Sequence, residues 1–211
     1  MTEVEEIIDR LERQADDETP ENTPDVGIIM GSDSDFDTMM GSGEDGDRGG
    51  AYDALTRLGF KEQTGYHDAP DARFTFETYV VSAHRTPDLM YAYAETAEER
   101  GVDIIIAGAG GKSADLPNMT ASVAYPVPVI GVPVQEKSVD SVIGMPTGAP
   151  LVAVDAGKSF NAVLSAVQFL SLRDDELADR LTEYHDELRG NVADVSREMH
   201  DGGAEAFRDR S

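Results

Sequence analysis

Residues 26–35, VGIIMGSDSD, join a compact apolar run to a short polar loop. The run Val26–Met30 ends in a Gly-Ser turn, which predicts a strand buried on both faces. The loop after it leads into a helical pattern from Asp35 to Met40. A fully buried strand that passes directly into a helix is typical of a parallel sheet covered by helices.

The same alternation of strand and helix continues along the chain. Regular alternation predicts an α/β fold, with a parallel sheet and helices on both faces. A helical tail at about 174–200 carries Leu177, Leu181, Tyr184 and Leu188 at spacings of three or four, a stripe that packs on this chain or on a neighbouring subunit. The predicted strands are 26–30, 74–81, 103–107, 127–132 and 151–154, and the predicted helices are 35–40, 51–58, 87–100, 117–124 and 162–172.

The composition excludes several classes of function. The 211 residues carry 17 Lys+Arg against 42 Asp+Glu, a net charge of -25, which argues against binding nucleic acid or anionic membrane over a broad surface. Cysteine is absent, so disulfides and thiolate sites are excluded. No apolar run approaches the roughly 18 residues of a membrane span, and the acidic first residues do not resemble a signal peptide. We therefore expect a soluble, cytoplasmic chain.

The charge is concentrated at the two ends. Residues 1–25 hold ten carboxylates against two Arg, and residues 173–211 hold twelve against six Arg. We predict an acidic N-terminal extension (1–25), a catalytic α/β domain (26–173) and an acidic helical C-terminal tail (174–211), with both ends as solvated periphery. The Gly- and Asp-rich segment 41–50 predicts a surface insert that interrupts a helix, and a second insert is expected around 62–73.

The basic residues are 13 Arg and only four Lys. Scarce lysine, abundant carboxylate and few aromatic residues indicate a surface adapted to high salt, where the Debye length falls to about 3 Å at 1 M and repulsion among carboxylates is screened. A merely acidic protein without salt adaptation is the alternative.

Three loops are candidates for chemistry, because ligands of parallel sheets bind at the carboxyl ends of the strands. Ser32, Ser34 and Asp35 belong to the first, whose amides and hydroxyls suit an anion. Either serine could instead simply cap the following helix.

The second loop places His84 beside Arg85, a proton shuttle next to a fixed cation, although a single His is more often structural. His67, His185 and His200 lie in an insert or in the tail. The third loop, 108–117, is glycine-rich and either approaches a flat ligand closely or forms a demanding turn.

Six ordered blocks then carry a resemblance. The segments 31–35 (GSDSD), 82–88 (SAHRTPD), 107–111 (AGAGG), 129–135 (VIGVPVQ), 146–150 (PTGAP) and 161–172 (NAVLSAVQFLSL) resemble the 5-(carboxyamino)imidazole ribonucleotide mutases of purine (IMP) biosynthesis, over about residues 25–173. The resemblance implies a three-layer α/β/α flavodoxin-like fold, a homo-octamer with active sites between subunits, and no metal or organic cofactor. It also implies a possible upstream carboxyaminoimidazole ribonucleotide synthase as a partner.

The implied reaction is an isomerisation that moves a carboxylate from the exocyclic nitrogen of the aminoimidazole ribonucleotide to ring carbon four. By resemblance, His84 is the general acid/base. Substrate contacts are implied for Ser32, Ser34 and Arg85 at the phosphate, Asp35 at the ribose, and Ser82, Gly110 and Gly111 around the carboxylate.

The third loop departs from the family pattern. The family usually reads GAGGAAHLPGM where this chain has GAGGKSADLPNM, so there is one additional residue and Asp115 stands nearest to the family's second histidine. Lys112-Ser113 faintly resembles the Arg-Ser of aminoimidazole ribonucleotide carboxylases, which use free carbon dioxide. That carboxylase activity, or a non-catalytic nucleotide-binding module, is therefore the alternative to the mutase.

Overall fold

A parallel sheet forms the centre of the protein in the computed structural model, which describes residues 2–17, 23–41, 49–64 and 70–208. Within these residues the sheet has six strands in the order β2-β3-β1-β4-β5-β6, and every pair is parallel. Without the two-residue β2, this order is the 2-1-3-4-5 of flavodoxin-like folds, which confirms the predicted fold. The strands are β1 (Val26–Met30), β2 (Lys61–Glu62), β3 (Thr75–Val80), β4 (Ile104–Ala109), β5 (Val129–Pro133) and β6 (Val152–Ala153).

Helices follow most of the strands and cover both faces of the sheet. On one face, Leu11, Leu89 and Leu116 pack in a cluster with Ile29 and Ile105. On the other, the Tyr52 ring packs edge-on against Phe76, with 5.7 Å between the ring centroids. The helices are α1 (Glu3–Asp17), α2 (Phe36–Met40), α3 (Ala51–Arg57), α4 (Pro87–Thr96), α5 (Leu116–Val123), α6 (Val139–Ile143), α7 (Ser159–Leu170) and α8 (Asp175–Arg208), with 3-10 turns at Asp33–Asp35 and Glu136–Ser138.

The predicted strands are all present: β1 has the predicted bounds, and the other four are shifted or shortened by one or two residues. The helix predicted to reach residue 100 ends at Thr96, and a turn at 97–101 then leads towards β4. Three helices or strands were not predicted: α1 lies in the acidic N-terminal extension, the two residues of β2 are polar and lie at the sheet edge, and α6 lies in a segment punctuated by Pro and Gly. Most of the predicted insert at 41–50, and residues 65–69 of the second insert with His67, lie outside the described residues.

The expectation that residues 1–25 are solvated periphery is wrong for one face of α1. Leu11 is fully buried, and Val4, Ile7 and Ile8 pack against the same core cluster. These positions recur at helical spacing, so one apolar face docks while the acidic face stays in water.

The chain divides into two compact units, Met1–Ala166 and Val167–Ser211. The first contains the whole sheet and the predicted site residues. The second is dominated by α8, whose Leu188, Val192, Val195 and Met199 are exposed. Among the described residues, no helix combines the length and the apolar character needed to cross a membrane.

Candidate active site

A cavity of about 510 Å³ opens at the carboxyl edge of the sheet. Its position follows from the topology: β1 lies between β3 and β4, so the connections that leave β1 and β4 diverge to opposite faces. Met30 is level with Val80 of β3 and with Gly108 of β4, which brings the three following loops together. All the predicted site residues line this cavity: Ser32, Ser34, Asp35, Ser82, His84, Arg85, Gly110 and Gly111.

The loop after β1 is ordered by its own side chains. Ser32 Oγ accepts a hydrogen bond from the Ser34 amide at 3.3 Å and donates to Asp33 Oδ1 at 2.9 Å. Ser34 Oγ lies 3.1 Å from Ser32 Oγ and donates to it. The capping alternative is therefore realised at Ser32, which caps the 3-10 turn while it also lines the cavity.

Asp35 joins the first loop to the third. Its side chain is buried and accepts hydrogen bonds from the backbone amides of Gly110 and Ser32. Burial raises the pKa of Asp35 above its ordinary value, and the two amides and the Arg85 charge partly offset this rise. A Cβ at position 110 would lie 3.0 Å from Asp35 Oδ1, so glycine permits this close approach.

Arg85 is held by neutral oxygens in the second loop. Ser82 Oγ accepts hydrogen bonds from the Arg85 amide at 3.2 Å and from Nε at 3.4 Å. Arg85 Nη2 donates to Gly31 O at 3.0 Å, across the gap between the loops after β3 and β1. These contacts fix an exposed guanidinium at the cavity wall without a carboxylate in the hydrogen-bond set, a suitable arrangement for an incoming anion.

His84 lies on the same loop, and its side chain is 59% exposed. Its Nε2 is 3.3 Å from Ser113 O and 3.3 Å from Asp115 Oδ2. The other carboxylate oxygen of Asp115 accepts a hydrogen bond from Ser141 Oγ at 3.1 Å. The cavity therefore holds an accessible imidazole with acceptors on one nitrogen, the arrangement of a residue that can exchange protons.

Two glycines of the third loop have different roles, one in the turn of the backbone and the other in a close contact. Gly111 has φ +87°, a left-handed conformation that side chains rarely adopt, and no atom lies within 4 Å of a Cβ built there. Gly111 therefore serves the turn, whereas Gly110 serves the contact with Asp35.

Four further polar residues line the cavity and were not predicted as site residues: Ser113, Asp115, Gln135 and Lys137. Lys137 was detectable, because three of the four lysines in this acidic chain (Lys112, Lys137 and Lys158) follow the carboxyl ends of β4, β5 and β6. His185 and His200 are exposed on α8 and lie outside the cavity wall. Within the described part of the chain, no three His, Asp or Glu side chains converge closely enough to hold a metal ion.

Fold and cavity together define a class: a parallel α/β protein with a small-molecule site, equipped for anions, at the switch point of its sheet. Comparison with known proteins then narrows the class. The model of the AIR carboxylase family matches residues 61–191, and the chain belongs to that family.

Several relatives are similar over most of this chain. An N5-carboxyaminoimidazole ribonucleotide mutase of Bacillus subtilis is 42% identical over 184 residues, which are 83% of this chain and 98% of the relative. A protein of the same name from Aquifex aeolicus is 44% identical over 75% of this chain and 83% of its own length. The chloroplastic phosphoribosylaminoimidazole carboxylase of Vigna aconitifolia is 36% identical over 86% of this chain, but the match spans 29% of that longer protein.

A solved structure supports the fold. The crystal structure of Treponema denticola PurE matches with a TM-score of 0.60 and 22% sequence identity, over 83% of this chain and 96% of that one. The family model and the relatives confirm the family resemblance drawn from the six sequence blocks.

Proposed function

We propose that this chain is a 5-(carboxyamino)imidazole ribonucleotide mutase, an isomerase of purine biosynthesis. One observation carries the assignment: in a chain 42% identical to a mutase over 83% of its length, His84, Arg85 and the Ser32–Asp35 loop line a single cavity. The chemistry belongs to residues 26–173, where all of these residues lie.

His84 is the general acid/base of the proposed reaction. It donates a proton to the exocyclic nitrogen as the bond between that nitrogen and the carboxyl carbon breaks. The carbon dioxide released stays in the cavity, ring carbon four attacks it, and His84 takes up the proton that ring carbon four loses. The proton count balances over one turnover, so no cofactor is consumed, and a positioned acid/base is the main catalytic requirement.

The remaining cavity residues hold the substrate. Ser32, Ser34 and Arg85 bind the phosphate, since hydroxyls and an exposed guanidinium complement a dianion. Asp35 accepts from the ribose hydroxyls. Ser82 and the backbone of Gly110 and Gly111 surround the migrating carboxylate.

A carboxylase that uses free carbon dioxide is the second candidate. Ser113 lines the cavity, as the Lys112-Ser113 resemblance to carboxylases requires, and one relative is named a phosphoribosylaminoimidazole carboxylase. Lys112 itself is absent from the cavity wall, and the basic residue that lines it beside Arg85 is Lys137.

One experiment with two alternative substrates distinguishes the mutase from the carboxylase. The purified protein is given either the 5-carboxyamino ribonucleotide without ATP or bicarbonate, or the decarboxylated ribonucleotide with bicarbonate. Formation of the 4-carboxy product from the first substrate supports the mutase, and conversion of the second substrate alone assigns the carboxylase. Binding of either ribonucleotide without conversion contradicts both and indicates a non-catalytic module.

We further propose a salt-adapted homo-octamer that works in the cytoplasm and receives its labile substrate from a carboxyaminoimidazole ribonucleotide synthase. The family resemblance supports the octamer and the synthase, and the net charge of -25 with only four lysines supports the salt adaptation. Native mass measurement should give eight copies of the 22.7 kDa chain. The free energy of unfolding should rise from low to molar salt, and insensitivity to salt would contradict the adaptation.

A further inference from the structure

A chain of polar contacts runs from α6 through α5 to the imidazole of His84. Ser141 Oγ donates to Asp115 Oδ1 at 3.1 Å, and Asp115 Oδ2 lies 3.3 Å from His84 Nε2. The two oxygens of one carboxylate therefore face different partners. Oδ1 holds the carboxylate in place through Ser141, and Oδ2 faces the imidazole ring of His84.

Ser141, which donates to the Asp115 carboxylate, contacts two residues at the start of α5. Asp115 is the residue before the first turn of α5, and Asn118 lies one turn further along the same helix. Asn118 Nδ2 donates to the backbone oxygen of Ser141 at 2.6 Å. Ser141 is thus clamped by two residues of α5, through its side chain and its carbonyl, and this restricts the direction in which it presents Oγ to Asp115.

The surroundings of His84 Nε2 determine which ring nitrogen carries the proton. Both atoms that face Nε2, the carbonyl oxygen of Ser113 and the carboxylate oxygen of Asp115, are acceptors. An acceptor pair requires a donor, so the neutral ring is protonated at Nε2 and its lone pair is at Nδ1.

We propose that Asp115, oriented by Ser141, is a positioning residue that sets the tautomer and the orientation of His84. The proposal rests on the proposed function for its catalytic consequence. Asp115 stands nearest to the second histidine of the family pattern, and in this chain it places a carboxylate beside His84. An oriented carboxylate beside a catalytic imidazole is a general device for fixing the tautomer and holding the ring.

The experiment compares Asp115→Ala, Asp115→Asn and Ser141→Ala with a matched control, Asp140→Asn, which removes an exposed carboxylate from α6. Two measurements are made on each protein. One is kcat and KM with the 5-carboxyamino ribonucleotide, and the other is the ¹⁵N NMR shifts of the His84 ring in the free protein. Circular dichroism and thermal melting of every variant establish that it is folded.

Asp115→Ala should lower kcat by about 10- to 100-fold, the usual cost of losing an orienting partner, with KM nearly unchanged. The population of the Nε2-protonated tautomer should fall in the same variant. Ser141→Ala should shift both measurements in the same direction by less, Asp115→Asn should retain part of the tautomer preference but not the rate, and Asp140→Asn should match the parent.

A folded Asp115→Ala protein with parental kcat and parental tautomer populations would overturn the proposal. So would equal losses in Asp140→Asn, because these would reflect net charge only. The NMR measurement needs no substrate, so it separates the two hypotheses. A parent protein that binds the ribonucleotide without turnover would refute the proposed function, whereas the dependence of the tautomer on Asp115 would still be decided.

Discussion

Arg85 and Arg100 flank the two ends of α4 and have opposite surroundings. Arg100 is 1% exposed; its Nη1 donates to both carboxylate oxygens of Glu77, at 2.9 and 3.1 Å, and its guanidinium lies 4.8 Å from the Tyr93 ring centroid. Arg85 is exposed and donates to Ser82 Oγ and Gly31 O, which carry no charge. A guanidinium paired with a carboxylate has its charge neutralised internally, whereas one held by neutral oxygens keeps its charge available to a ligand.

The largest expected effect is at the buried end of α4. Arg100→Met leaves the buried Glu77 carboxylate without its cation, so the free energy of unfolding should fall by about 3–5 kcal/mol. Urea denaturation at fixed salt measures it. The double variant Arg100→Met/Glu77→Leu should recover most of the loss, and kcat per folded molecule should be unchanged. A loss below about 1 kcal/mol would mean that the buried Glu77 carboxylate does not depend on Arg100 for charge compensation.

At the exposed end of α4, His84→Asn should affect catalysis and leave stability unchanged. Turnover of the 5-carboxyamino ribonucleotide should fall by about 10² or more, as expected when a general acid/base is lost, while binding of the ribonucleotide is retained. Calorimetric titration and product assays measure the two quantities. Turnover near the parental value would remove His84 from the mechanism.

Arg85→Ala tests whether the exposed charge serves the ligand. Binding of the ribonucleotide should weaken by about 1.5–3 kcal/mol, because one charge-assisted hydrogen bond to the phosphate is lost. Arg13→Ala is the control, since it removes the same charge from an exposed position on α1. Equal affinity in Arg85→Ala and Arg13→Ala would contradict the phosphate role.

Asp35, like Glu77, is a buried carboxylate, and its substitution is expected to have the smallest effect on stability. Burial holds the pKa of Asp35 above the value of 3.8 that it has when unfolded. Its contribution to stability is therefore complete below pH 3.8 and is lost as the pH rises through the folded pKa. Asp35→Asn removes this dependence, so its stability relative to the parent should improve from acidic to neutral pH. Denaturation at several pH values measures it, and a difference constant with pH would refute it.

The parallel sheet and the assembly of the site were predictable for a common reason. Buried strands such as Val26–Met30 appear as uninterrupted apolar runs, and the carboxyl ends of parallel strands must meet at one edge. The loops of Ser32 and Gly110, 78 positions apart in sequence, were therefore expected together and line the same cavity.

What was not predicted depends on long-range pairing of side chains. The apolar face of α1 was overlooked because the segment is dominated by carboxylates, and its destination, α4, lies far along the chain. Likewise, the sequence does not indicate that Asp115 lies between Ser141 and His84. Local patterns predict strands and the loops that follow them, whereas the partners of individual side chains are determined by the three-dimensional packing.

The contact between α1 and the end of α4 has a consequence for synthesis on the ribosome. Gln14 Oε1 accepts a hydrogen bond from Arg100 Nη1 across 86 positions of sequence. At roughly 5–20 residues per second, Arg100 is translated about 4–17 s after Gln14. For that interval the apolar face of α1 has no α4 to dock on. The carboxylates of α1 favour hydration of the segment, and we expect this to limit its aggregation during that interval.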